Sequence, residues 1–175
     1  PFEKAGYQLK FYELDKDLHS IFDTSVIDEI SVLSLCGYYG FCNYDHDFVK
    51  ACKEKGVVIF EDVTHSMLSA DGIDPLCDYF AGSFRKWMGV DCGGFAVKRN
   101  GTFETPLLPV EATHLKQRKE YYETGDGDVF WEGELRLRQI FDSFAGDDNS
   151  EYLLRHADFD SICKTRRENY AALLD

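Results

Sequence analysis

Two short stretches hold the side chains best suited to chemistry. In the first, Glu61-Asp62-Val63-Thr64-His65 follows the apolar run at 57–60. A carboxylate and an imidazole at the end of a buried strand lie where open α/β sheets bind ligands. The same Asp62 also suits an ordinary N-cap, which needs no ligand. In the second, Gly82-Ser83-Phe84-Arg85-Lys86-Trp87 follows the next apolar run and leads to Asp91-Cys92-Gly93-Gly94. An amine flanked by Phe84 and Trp87 loses hydration, which favours the neutral, nucleophilic form. Alone, Lys86 reads better as a surface lysine in a turn. Ser83 and Lys86 also fit a Ser-x-x-Lys acyl-enzyme pattern, but no Ser-Asp-Asn or Lys-Thr-Gly accompanies them. The six cysteines form no C-x-x-C pair and the five histidines do not group with them, so no metal site is expected.

These stretches need strands to carry them. Residues 9–14 alternate apolar and polar side chains, and residues 30–36, 57–60, 79–84 and 93–97 are short apolar runs. Between the second and third run, residues 45–55 place Phe48, Val49 and Cys52 on one helical face. Buried strands alternating with a helix predict an α/β fold with a mostly parallel sheet flanked by helices. Beyond Gly101 the pattern turns helical: a charged helix over 111–122, an apolar-striped helix over 129–144 and a long helix over 153–174. In this reading His114 sits in a charged helix and faces solvent.

Taken together, Asp62-x-x-His65, Ser83-Phe84 with Lys86, and Gly93-Gly94 resemble the fold-type I pyridoxal phosphate enzymes, and the sugar aminotransferases (the DegT/DnrJ/StrS family) in particular. Residues 32–40, ending Tyr38-Tyr39-Gly40, look like that family's preceding strand and turn. Arg166-Arg167-Glu168-Asn169-Tyr170 resembles the helix that leads to its small C-terminal domain. The resemblance implies that residues 1–148 are part of the cofactor-binding large domain and that 149–175 lead toward the small domain. It implies strands near 10–14, 31–36, 57–61 and 79–83 running parallel, with 93–97 antiparallel. It further implies a Schiff base between Lys86 and pyridoxal 5'-phosphate, Asp62 on the pyridinium nitrogen, His65 against the ring and Ser83 on the phosphate. The activity implied is transfer of an amino group from a donor such as glutamate to a keto acceptor, plausibly a nucleotide-linked sugar. Such sites are built at homodimer interfaces, and the aromatics of 129–144 with the Tyr38-Tyr39 turn are the expected contact.

Composition bounds the alternatives. Hydrophobic residues make up 44% of the 175, enough for a core. A net charge of −13 repels nucleic acid and anionic membranes. No apolar run is long enough to span a bilayer and no leader is visible, so a cytoplasmic protein with free thiols is expected. Both ends run directly into predicted elements, which suggests a piece of a larger protein. A degenerate homologue serving as an interaction protein stays open as the second reading.

Overall fold

The computed structural model describes residues 2–174. It is an α/β structure built on a four-stranded mixed sheet in the order β3 (Val32–Cys36), β4 (Val58–Asp62), β5 (Tyr79–Ser83), β6 (Gly94–Lys98). β3, β4 and β5 run parallel and β6 runs antiparallel to β5, in the directions set out above.

The helix between β3 and β4, α1 (His46–Glu54), starts where Asp45 accepts the amides of Asp47 and Phe48 at 2.9 and 3.1 Å. Its apolar face, Phe48, Val49 and Cys52, packs on Leu33, Leu35, Val57 and Ile59 of the sheet side. Each fully buried side chain of this kind is worth about 1.5–3 kcal/mol. Strand alternation sends Ser34, Val58, Asp62 and Ala81 to the opposite face, where Ser34 and Val58 are exposed.

The strand expected near 10–14 is not part of this sheet. β1 (Glu13–Leu14) instead pairs antiparallel with β2 (Ser20–Ile21) in a separate ribbon. The cause lies at Asp15, whose carboxylate accepts the amides of Asp17 and His19 at 2.8 and 2.9 Å. With Leu18 at φ 64°, that turn folds the chain back into a hairpin before a crossover can form.

The helical half differs in two places. α2 (Ala112–Thr124) and α3 (Gly127–Leu137) form an antiparallel-type pair joined at Gly125, but α3 stops at Leu137 rather than continuing to 144. Past it the chain turns extended, and Leu108 exchanges backbone hydrogen bonds with Ser143 and Ala145, both at 2.8 Å. The long C-terminal helix is two helices, α4 (Asp148–His156) and α5 (Phe159–Leu174). Ala157 is extended at ψ 130°, and Asp158 caps the second helix by accepting the Ser161 amide at 2.9 Å. Hydrophobic periodicity crosses both breaks, so it cannot reveal them. All six cysteines are free. Among the described residues no helix is long and apolar enough to cross a membrane.

Candidate functional site

Asp62 and Ser83 end β4 and β5, and the segments that leave these strands carry His65 and Lys86. Register pairs Asp62 with Ala81 on the neighbouring strand. Two residues further along, Ser83 shares that face of the sheet.

Asp62 is half-buried, and one carboxylate oxygen accepts the Thr64 amide at 2.9 Å. The turn-capping role open to Asp62 from sequence is therefore realised. Its second oxygen takes no hydrogen bond from the described residues. The charge is felt by Cys36, its partner on β3: burial first, then Asp62, pushes that thiol up to about 11.

His65 is held from the other side by the turn after β3. Its Nδ1 accepts the Tyr39 amide at 3.4 Å, which leaves the ring proton on Nε2. The two rings stack with centroids 6.0 Å apart. Tyr39 adopts φ 55°, a left-handed conformation that costs a non-glycine residue energy and recurs at functional sites. Gly40 follows at φ 93°, and a Cβ there would lie 3.2 Å from the His65 carbonyl.

Lys86 ends a one-turn 3-10 helix (Phe84–Lys86) and is exposed. The expected desolvation by its aromatic neighbours does not occur, because both rings are engaged elsewhere. Phe84 packs on Phe95 and Phe159, with centroids 4.9 and 5.6 Å away. Trp87 turns its Nε1–H to the Thr64 carbonyl at 2.8 Å and offers its face to the Arg166 guanidinium at 4.8 Å. Arg166 also donates to the Lys86 carbonyl at 2.8 Å, so α5 holds the backbone of this turn. The Arg166 stretch singled out in the sequence thus meets the lysine turn directly.

Ser83 pairs with Gly94 across β5 and β6. Of the four residues it is the one that lines a cavity of about 640 Å³ between the Gly93-Gly94 turn and the helices that follow.

Sequence reasoning missed what lies on that cavity wall. His114, assigned there to solvent, is buried at 6% exposure. Its Nδ1 lies 3.2 Å from Glu111 and its Nε2 lies 3.7 Å from Cys92 Sγ. Glu111 caps α2 by accepting the His114 amide at 3.1 Å and is paired with Arg136 at 2.9 Å. Burial works against this carboxylate's charge, but Arg136 and the His114 hydrogen bonds overcome it and hold its pKa far below the usual range. The Glu111-x-x-His114 spacing was the available signal, since residues at i and i+3 share a helix face. Its Cys92 partner, 22 residues away, gave none.

Compared with known proteins, the chain matches no family model, no curated protein and no solved structure.

Proposed function

We propose that the chain is the cofactor-binding part of a pyridoxal-phosphate-dependent aminotransferase, with Lys86 as the attachment point. The observation that carries this reading is the strand order: Asp62 and the Ser83–Lys86 turn leave adjacent parallel strands, followed by one antiparallel strand. That is the arrangement the fold-type I resemblance calls for.

The donor set fits the group. Asp62 has a carboxylate oxygen to spare for a pyridinium N–H, beyond the one that caps Thr64. His65 has its Nε2–H free, Ser83 a hydroxyl, and Lys86 an accessible amine. The cofactor supplies an electron sink for bond breaking at the substrate's α-carbon. The Asp62 carboxylate would pair with the N–H of the ring nitrogen, which would preserve that capacity. With the cofactor in place, the Lys86 amine would be the general base that moves the α-proton. Ser83 orients the phosphate. The donor is an amino acid such as glutamate, and the acceptor is a keto compound of the nucleotide-sugar class. The exposed Trp131, Leu135, Phe141 and Tyr39 are the surface through which a homodimer would form.

Limiting pyridoxal phosphate followed by borohydride reduction and peptide mass mapping tests this. The reduced cofactor should reside on Lys86, and Lys86→Ala should abolish it. A label spread over the other surface lysines with Lys86 unfavoured overturns the reading. The exposure of Lys86 favours the second reading, a homologue that keeps the sheet as an interaction scaffold; that scattered labelling pattern is its signature.

A further inference from the structure

We propose that Cys92, His114 and Glu111 form a second, thiol-based nucleophilic site, with Cys92 Sγ as nucleophile, His114 as its proton acceptor and Glu111 as the residue that positions the imidazole. The site does not use Asp62 or Lys86, but it opens on the same cavity that Ser83 lines.

The arrangement is linear. Cys92 Sγ lies 3.7 Å from His114 Nε2, and His114 Nδ1 lies 3.2 Å from Glu111 Oε2. A nucleophile, a base and a third group orienting the base make up the recurrent logic of activated nucleophiles. Cys92 is half-buried and the His114 imidazole is 6% exposed, yet both line the cavity of about 640 Å³, so sulfur and base face the same space. Glu111 is fixed on three sides, by the His114 amide, by the His114 ring and by Arg136. An ionised Glu111 directs the ring proton to Nδ1 and leaves the Nε2 lone pair facing sulfur. The Cys92 backbone is equally fixed: its amide donates to the Ser150 hydroxyl at 2.9 Å, and Ser150 is 2% exposed.

The thiol's surroundings decide how it reacts. Burial first, then the neighbouring Asp147 and Asp91, push Cys92 up to about 11, so it rests protonated. A standing thiolate–imidazolium pair is disfavoured. Reaction therefore needs the proton to leave as sulfur attacks, and His114 Nε2 at 3.7 Å is placed to accept it.

The cavity indicates the substrate. Leu137, Ile140, Phe144 and Leu154 form its apolar wall. Its two arginines are already paired, Arg85 with Glu134 at 3.0 Å and Arg155 with Glu151 at 2.6 Å. Arg85 shares its carboxylate with Arg118, but Asp91, Glu111 and Glu151 also line the cavity, so its wall is more acidic than basic and disfavours an anionic ligand; the substrate class is an uncharged ester or thioester with an apolar acyl chain. Sulfur adds to the acyl carbon, the thiol proton passes to His114 Nε2, and the bond to the leaving group breaks as His114 protonates it. Water then cleaves the thioester, giving one proton through His114 back to sulfur and releasing the acid.

The probe is 4-nitrophenyl hexanoate with the whole chain, read by nitrophenolate release and by mass mapping of the acyl group among the six cysteines. The expected result, in samples quenched with acid during turnover, is an acyl group on Cys92 at no more than one per chain. Cys92→Ser should lose the label, and His114→Gln should slow acylation about a hundredfold, the scale of a general base. Glu111→Gln keeps the cap acceptor but not the charge; it should slow acylation, and Glu111→Asp should restore part of the rate. Mapping on the unaltered chain needs no variant to fold. Acyl groups distributed over Cys36, Cys42 and Cys163 as readily as on Cys92, no acylation at all, or a folded His114→Gln chain reacting at the native rate overturns the proposal.

Discussion

The indole Nε1–H of Trp87 donates to the main-chain carbonyl of Thr64 at 2.8 Å. That one bond joins the loop after β4 to the turn after β5, and so couples the positions of Asp62 and Lys86. Trp87→Phe keeps an aromatic face for Arg166 but removes the donor. The expected loss is about 1 kcal/mol, the usual net value of such a bond. It should appear as a lower urea midpoint at unchanged slope; an unchanged midpoint would mean that the two loops hold their places without it.

Glu61, one residue before Asp62, is fully buried and faces the α1 side of the sheet. Its carboxylate accepts from the Tyr44 hydroxyl and from the Asp74 amide, the latter at 2.8 Å. Burial outweighs both bonds and raises its pKa above the ordinary 4.5. A raised folded-state value means the unfolded chain ionises first. The contribution of Glu61 is complete below about pH 4.5 and is lost as pH climbs through the folded value. Glu61→Gln can satisfy the same two partners if the Tyr44 hydroxyl turns to accept. The variant should match the native chain in acid and become the more stable of the two toward neutral pH, a divergence that melting curves at a series of pH values would reveal. A gap constant with pH would contradict it.

The two glycines after Cys92 are not equivalent. A Cβ on Gly93 would lie 2.9 Å from Val90 Cγ2 and 3.1 Å from the Arg85 amide, whereas Gly94 has open space. Gly93→Ala should cost about 1–3 kcal/mol by overpacking. Gly94→Ala should be neutral or stabilise by up to about 1 kcal/mol, because it stiffens the unfolded chain. Equal effects in denaturant titrations would show that the pair is not separated by sterics.

What could be read from sequence followed the range of each signal. β3 to β6 and α1 were legible because one period runs through each, and because the apolar face of α1 at Phe48, Val49 and Cys52 matches the buried residues of the strands. β1 was misplaced because a side chain, Asp15, sets the turn that removes it from the sheet. The breaks at Leu137 and Ala157 were hidden because apolar spacing continues across them while the backbone finds other partners. The placement of Asp62 and His65 at and just after the end of β4 followed from the apolar run before them. The exposure of Lys86 did not, since Phe84 and Trp87 are adjacent in sequence yet turned toward Phe159 and Thr64. The burial of His114 depends on the Cys92 turn, a contact that no local pattern encodes.

Asp62 offers the sharpest separation of scaffold from chemistry. One of its oxygens caps the Thr64 amide at 2.9 Å, and only the other is assigned to the cofactor nitrogen. Asparagine reproduces the first role, since its carbonyl caps such turns as well as a carboxylate does. It cannot reproduce the second, because a neutral amide does not hold a pyridinium proton. Asp62→Asn should therefore melt within about a degree or two of the native chain, given that no net interaction of the fold is lost. Asp62→Ala loses the cap and should be less stable by about 1 kcal/mol. Both should take up pyridoxal phosphate at Lys86 at least tenfold more weakly, the effect of losing about 1.4 kcal/mol of charge pairing. If Asp62→Asn binds cofactor as the native chain does while Asp62→Ala is merely unstable, then Asp62 is a turn residue and the cofactor assignment at this position is wrong.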